Sequence, residues 1–295
     1  MRWADGYIAA DWGTTNRRAY LIDASGECVR EFEDGKGILS VPKDGFDAAV
    51  AEIHAQLGEK PMLLAGMVGS NRGWKEARYV PCPAGLEQLS GGIVWVDERH
   101  GIVPGVCFSN DVRADVMRGE EVQLLGAIAA GMIPNDCTVC HPGTHNKWIN
   151  LVGGRIVSFR TVMTGELFNL LRKHSILSDL LAGEVTPGDA FLRGVSSGFA
   201  KEYLQSELFG VRAAVLLGKA PAANAASYTS GLLIGGDVRI GLADAAEGPI
   251  VVMARPELTE LYATAIRAAG REAVELDGER TFLAGARRLA GLISQ

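Results

Sequence analysis

Two short stretches share the pattern Gly-Thr-x-Asn at the end of an apolar run. Asp11-Trp12-Gly13-Thr14-Thr15-Asn16 follows the apolar run Tyr7–Ala10, and His141-Pro142-Gly143-Thr144-His145-Asn146 follows Cys137–Cys140. A glycine in a tight turn lets successive backbone N–H groups face one point with no Cβ in the way, and a neighbouring threonine hydroxyl adds a donor. Such a concavity binds phosphate oxygens. Two of them facing each other across a cleft would hold the phosphates of one nucleotide. Asp11 offers a hard oxygen ligand just before the first turn, suited to Mg²⁺ bound directly or through water. Gly13, Thr14, Thr15, Asn16, Gly143, Thr144 and His145 are therefore candidate nucleotide contacts, and Asp11 is a candidate metal ligand and catalytic group.

The second stretch opens as Cys137-Thr138-Val139-Cys140-His141, the spacing of a covalent haem site. Covalent haem requires export, and no segment here provides it. Zinc would need two further ligands, and only His141 and His145 lie near. The alternative is two small apolar residues in a buried strand that leads into a functional turn. The chain has 5 cysteines, an odd number that reads as free thiols in a reducing compartment.

Composition narrows the class. The 295 residues suffice for two ordinary domains, with 47% hydrophobic and 22% charged residues. A net charge of −6 argues against a broad nucleic-acid surface. No secretory signal is visible at the N-terminus, and the greasiest stretch, Leu124–Ile133, is too short to span a bilayer. A cytoplasmic protein is expected. There is no G-x-x-x-x-G-K-[ST], and no G-x-G-x-x-G opens a helix after a strand.

The elements that must position these turns are legible in outline. Apolar runs and turns give three strands over Tyr7–Glu33, then a helix whose stripe is Phe46, Val50, Ile53 and Leu57, stopped at Gly58. Met62–Gly66 reads as a buried strand before a loop, and Gly91–Val96 as another strand. A helix is expected over Gly119–Met132. Then the order restarts: Cys137–His141 as strand, a turn, Asn146–Val152 as strand, a Gly153-Gly154 hairpin, a strand and a helix. Past Ser175 the pattern is mainly helical to about Gly218, followed by Tyr228–Gly236, a strand ending in Ala254, and two helices. At a constant offset of 130, Gly13 falls on Gly143, Thr14 on Thr144, Asn16 on Asn146, Arg17 on Lys147 and Leu21 on Leu151. That predicts an internal duplication, with domains at 1–134 and 135–295.

With these residues in view, the chain resembles the sugar kinase, hsp70 and actin superfamily of ATPases. Ala65–Trp74, Val116–Ala127, Pro142–Trp148 and Phe159–Leu167, in this order, resemble the family of 2-dehydro-3-deoxygalactonokinases, and the likeness extends to Ser230–Gly236 and the C-terminal Phe282–Ala290. The resemblance implies an α/β fold of two duplicated ribonuclease H-like domains, with mixed β-sheets flanked by helices and a cleft between them. It implies a kinase that uses ATP and Mg²⁺ to phosphorylate the 6-hydroxyl of 2-dehydro-3-deoxy-D-galactonate, in D-galactonate catabolism. Partners would be the sugar acid and ATP, with no nucleic acid or membrane, and a homodimer stays open. One departure concerns the glycine run that often lies under the adenosine. Here the matching strand is followed by Arg255-Pro256-Glu257, so the adenosine pocket is expected at Arg255 and near Gly235 and Gly236, or Pro256 simply opens an ordinary helix. The alternatives are a kinase for another sugar or sugar acid and a sugar-binding regulator of the same fold. A regulator would usually add a DNA-binding segment, for which a chain starting at its first strand leaves little room.

The remaining candidates follow from the substrate implied. Ser70, Asn71, Arg72, Trp74 and Lys75 lie in the loop after a central strand, where α/β proteins bind ligands. A 2-keto acid anion needs local cations, and Arg72, Lys75, Lys147 and Arg160 are the candidates. Glu120 and Glu121 open a helix, either as acids at its positive end or with one as the catalytic base; Asp111 and Asp115 are reserves. By resemblance the base is Glu120 or Glu121, and Glu120 is preferred because Glu121 starts the buried stripe beside Val122. Thr164, expected as a helix cap, and Glu166 are secondary substrate-site candidates.

Overall fold

The computed structural model describes Trp3, Asp5–Lys201 and Tyr203–Ile293. The chain divides into two compact units, the first comprising the chain up to Asn135 with Val152–Ser158 and the segment from Gly278, the second Asp136–Leu151 with Phe159–Asp277.

Unit 1 contains β1 (Tyr7–Trp12), β2 (Arg17–Ile22), β3 (Cys28–Asp34), α1 (Phe46–Leu57), β4 (Met62–Gly66), β5 (Val80–Pro81), α2 (Leu86–Gly91), β6 (Val94–Trp95), β7 (His100–Ile102), β8 (Val106–Ser109), β9 (Ala114–Met117) and α3 (Glu120–Ala129). Its main sheet runs β3-β2-β1-β4-β7-β6, with a small β5-β8-β9 sheet beside it in sequence. β1 pairs antiparallel with β2 and parallel with β4, so both its edges are covered and its residues, Asp11 excepted, are buried. The α1 stripe Phe46, Val50, Ile53 and Leu57 is buried in one core with Ile8, Ala10, Trp12 and Leu64. Each such side chain contributes roughly 1.5–3 kcal/mol of burial.

Unit 2 contains β10 (Cys137–His141), β11 (Asn146–Val152) but for its last residue, the part of β12 (Arg155–Val162) from Phe159 onward, α4 (Thr164–His174), α5 (Asp189–Ala200), α6 (Leu204–Leu216), α7 (Ala225–Ala243), β13 (Ile250–Ala254), α8 (Pro256–Ala268) and β14 (Ala273–Asp277). Its sheet runs β12-β11-β10-β13-β14. As in unit 1, a hairpin feeds a first strand whose other edge takes a parallel partner. α7 is buried almost all round, and α5 crosses it in backbone contact. Cβ atoms built on Gly194, Gly198, Gly231 and Gly235 would each meet backbone of the other helix at 2.0–2.2 Å.

Several expectations are corrected. The last helix, α9 (Gly278–Ile293), clusters with unit 1 and not with the second domain. Its Gly285 sits against Val122 of α3, where an added Cβ would lie 2.1 Å from the Val122 carbonyl oxygen. Gly91 ends helix α2, and of Gly91–Val96 only Val94–Trp95 pairs as strand, because Gly92 stops the helix and leaves little chain before Asp97 turns. Gly235 and Gly236 lie inside helix α7, and close packing on α5 explains Gly235. Among the described residues no helix is long and apolar enough to cross a membrane.

Candidate active site

The first glycine-threonine turn closes through the Gly13 N–H, which donates to the Asn16 carbonyl at 2.9 Å. Its own carbonyls are taken up from outside. The N–H groups of Gly37, Ile38 and Leu39 donate to Thr15, Gly13 and Thr14 at 2.9, 3.1 and 3.3 Å. Gly37 is required at this approach, since a Cβ there would lie 2.2 Å from the Thr15 nitrogen. Thr14 and Thr15 are exposed, and among the described residues neither backbone N–H donates a hydrogen bond. Carbonyls satisfied on one side and N–H groups presented on the other is the arrangement an anion needs.

Asp11 lies at the end of β1 beside two glycines of positive φ, Gly66 at +89° and Gly119 at +113°. A Cβ on Gly66 would come 3.3 Å from Asp11 Oδ1, and one on Gly119 3.9 Å. The carboxylate thus has a cradle that side chains at either position would fill. Among the described residues no group of three or more His, Cys, Asp or Glu could hold a metal ion by itself. A single carboxylate fits Mg²⁺, which keeps several waters and takes its other ligands from phosphate. Gly119 is the N-cap of α3, so the Glu120 and Glu121 backbones begin next to Asp11. Both glutamates fold back over the helix start. Glu120 Oε2 accepts the Arg118 N–H at 3.0 Å, and both Glu121 oxygens accept the Gly119 N–H, at 2.9 and 2.7 Å. Glu121 is fully buried, and burial, with the neighbouring charge of Glu120 second, pushes its carboxyl up to about 8. Glu120 is only partly buried. Asp111 is exposed in a turn, and Asp115 lies on β9.

The loop after β4 is rigidly built. Gly73, Trp74 and Ala77 donate backbone N–H groups to Ser70, Val68 and Gly69 at 2.9, 2.9 and 3.0 Å. Ser70 is buried and its hydroxyl receives the Arg72 N–H at 3.3 Å, whereas Asn71 is exposed. Trp74 donates its indole N–H to Asp47 at 2.9 Å and packs its edge on His100, and Lys75 donates to the Trp95 carbonyl at 2.6 Å. Arg72 is exposed, and among the described residues no hydrogen bond or ion pair engages its guanidinium. Below the loop, Arg118 is buried, donates to the Ala77 carbonyl at 2.7 Å and stacks 4.4 Å from the Tyr79 ring centroid.

In unit 2 the second turn is braced differently. The Glu166 N–H donates to the Thr144 carbonyl at 2.9 Å, and Gly165 lies so close that a Cβ would meet the Gly143 carbonyl oxygen at 2.4 Å. His145 Nε2 and Glu166 Oε2 are 2.5 Å apart. Thr144 and His145 are exposed. Thr164 does not cap α4. Met163 is the N-cap residue with no side-chain cap bond, and the Thr164 hydroxyl donates to Asp237 at 2.5 Å. Asp237 is 1% exposed and also accepts from the Asn146 amide, the Trp148 indole and the Tyr262 hydroxyl, at 2.9, 2.7 and 2.6 Å. Burial raises its carboxyl despite these four donors.

Two of the four candidate cations are engaged within unit 2. Lys147 is buried on β11 and donates to the Thr161 hydroxyl at 3.0 Å, while Arg160 pairs with Asp244 at 3.2 Å on the surface. Arg255 is the N-cap of α8, with Pro256 as a first helical residue. Cys137 and Cys140 lie buried on β10, and burial pushes both thiols up, Cys137 to about 11. The sequence reading overlooked Asp237 and Arg118. The available signal for Asp237 was a single acid inside the apolar run Gly231–Val238, which only a buried network satisfies.

Comparison with known proteins agrees across the chain. A model of the 2-keto-3-deoxy-galactonokinase family matches residues 11–289. A 2-dehydro-3-deoxygalactonokinase of Escherichia coli K12 is 37% identical over 292 residues, covering 98% of both chains. The crystal structure of a Sinorhizobium meliloti protein assigned as a 2-dehydro-3-deoxygalactonokinase superposes with a TM-score of 0.91 at 34% identity, covering 97% of this chain and 99% of that one. Component A of the Acidaminococcus fermentans (R)-2-hydroxyglutaryl-CoA dehydratase shares the fold alone, with a TM-score of 0.53 at 13% identity.

Proposed function

The chain belongs to the 2-keto-3-deoxy-galactonokinase family, and from that premise we propose that it transfers the γ-phosphoryl group of ATP to the 6-hydroxyl of 2-dehydro-3-deoxy-D-galactonate. The observation that carries this reading is Asp11 in its two-glycine cradle next to the start of α3, where Glu120 stands. Phosphoryl transfer asks the protein mainly for alignment, charge neutralisation and a carboxylate near the attacking oxygen. Those parts have candidates here.

The N–H faces of Gly13–Asn16 and Gly143–Asn146 receive phosphate oxygens. Asp11 would hold Mg²⁺, which would supply neutralisation of charge on the phosphate oxygens. Glu120 accepts the proton of the 6-hydroxyl as its oxygen bonds to the γ-phosphorus, and the bond to the bridging oxygen breaks to release ADP. Arg72, whose guanidinium has no partner among the described residues, anchors the substrate carboxylate, and Ser70, Asn71, Trp74 and Lys75 shape the loop that presents it. Arg255 borders the adenosine. The repeated strand orders β3-β2-β1-β4 and β12-β11-β10-β13 support two ribonuclease H-like repeats. A cytoplasmic setting fits an ATP-consuming step and five free cysteines.

The test is ADP release by the purified protein with MgATP and a panel of 2-keto-3-deoxy, aldonic and neutral sugars. The highest kcat/KM is expected with 2-dehydro-3-deoxy-D-galactonate, and omission of divalent ion should abolish it. A higher kcat/KM on a neutral sugar would overturn the substrate assignment.

A further inference from the structure

Asp237 is buried in the core of unit 2, and among the described residues its hydrogen-bond partners are four neutral donors with no cation paired to it. Burying a charge without an ion-pair partner is expensive, and apolar replacements of buried charges are often neutral or stabilising. Stability is thus a poor reason for this residue. What the four donors share is location. Asn146 ends the second glycine-threonine turn, and its amide is oriented by donation of its nitrogen to Asp237 at 2.9 Å, with a weak contact from the Cys140 thiol to its Oδ1 at 3.5 Å. Trp148 lies two residues further along β11. Thr164 is the first residue of α4, whose next two residues brace the turn, Gly165 against the Gly143 carbonyl and Glu166 through its N–H to Thr144. Tyr262 belongs to α8, the helix that Arg255 caps. One carboxylate therefore joins the turn, the helix that braces the turn, and the helix expected to border the adenosine.

We propose that Asp237 is the positioning residue of the nucleotide half-site: it touches no substrate, and it holds the Gly143–Asn146 turn and the start of α4 in the arrangement that receives ATP. This rests on the kinase reading above. Both Asp237 oxygens accept two bonds each, so every donor is placed from a single point. A merely structural polar core would not need its donors to converge on the turn.

The experiment compares Asp237→Asn and Thr164→Val with Ile266→Ala, a change in the same core that removes none of the four hydrogen bonds to Asp237. Thr164→Val removes one arm while keeping side-chain shape, so it stands in should Asp237→Asn fail to fold. Measured are ADP dissociation constants by titration calorimetry, KM for ATP and for the sugar acid, kcat, and thermal melting. Asp237→Asn and Thr164→Val should weaken ADP binding and raise KM for ATP by about tenfold, as loss of an orienting partner commonly does for a bound group. KM for the sugar acid should move little. Ile266→Ala should lower the melting temperature and leave KM for ATP near wild type. Unchanged ADP affinity in Asp237→Asn, or in Thr164→Val where only that protein folds, overturns the inference and leaves the kinase reading intact. An equal rise in KM for ATP in Ile266→Ala also overturns it. A wild-type protein that binds no ADP overturns the kinase reading together with this inference.

Discussion

The two glycine-threonine turns share a sequence pattern and are held by unrelated means. Gly13–Asn16 has its carbonyls satisfied by the Gly37–Leu39 segment and sits behind a carboxylate, Asp11, beside the Gly119 N-cap of α3. Gly143–Asn146 is braced by the start of α4 and, through Asn146, by the buried Asp237, and the residue corresponding to Asp11 is His141. The two hairpins share a Gly-Thr pattern, while the chemistry around them differs. The cationic positions after each turn diverged as well. Arg17 is buried in an ion cluster with Asp34 and Glu52 and donates to the Ala49 carbonyl, whereas its counterpart Lys147 donates to a neutral hydroxyl. In the proposed function this difference gives charge handling to the first turn and phosphate seating alone to the second.

The largest effect should come from breaking that asymmetry at its source. Asp11→Asn is expected to lower turnover by roughly 10²–10³-fold, the scale for losing one preorganised electrostatic group, with circular dichroism and melting close to wild type. His141→Asn, the same replacement at the corresponding position, should lower turnover by less than about threefold. Equal losses in the two variants would show that the turns are not specialised.

Next in size is the pair of glutamates beside the first turn. Glu120→Gln should reduce kcat by about 10²-fold or more with little change in KM for ATP, and Glu121→Gln should keep most of the activity. Glu121 should instead govern pH-dependent stability. Its folded carboxyl is raised to about 8 from an ordinary 4.5, so between those values the folded state holds a proton that the unfolded state releases. Stability then falls as pH rises through that window, by about 1 kcal/mol per pH unit in order of magnitude. Glu121→Gln removes the dependence, so its melting temperature should gain on wild type steadily from pH 5 to pH 8. A constant difference across that range would mean Glu121 is ionised in the folded protein.

That pair also marks how far the sequence could be read. Helix α3, the strands on either side of both turns and the buried stripe of α1 follow from periodicity and turn residues, which are local signals. The preference for Glu120 over Glu121 came from the stripe beside Val122, and Glu121 is indeed the fully buried one. What was not legible depends on contacts distant in sequence. Asp237 meets Asn146 across 91 positions, and Gly66 and Gly119 share one carboxylate. The packing of Gly235 on α5 likewise joins positions 40 apart, since an added Cβ would meet the Val195 carbonyl oxygen at 2.2 Å. The C-terminal helix could not be assigned to unit 1, because its Gly285 matters only where Val122 and Gly126 meet it.

The smallest effect expected bears on the Cys-x-x-Cys spacing. Cys137 and Cys140 lie on buried β10, both thiols are pushed up by burial, and among the described residues no third ligand completes a metal group. Cys140 does touch the site at one remove, since its thiol is 3.5 Å from Asn146 Oδ1. A thiol is a weak donor, and the counterpart of Cys140 in the first turn is Ala10, which has no polar group to give. The double change Cys137→Ala, Cys140→Val makes the second turn resemble the first in this respect. Turnover and KM for ATP should stay within about twofold of wild type, with a stability loss of about 1–2 kcal/mol from altered packing. Melting and steady-state kinetics together decide the matter. A tenfold rise in KM for ATP at near-normal stability would mean that the thiol is needed to orient Asn146, and that the second turn depends on a contact the first does without.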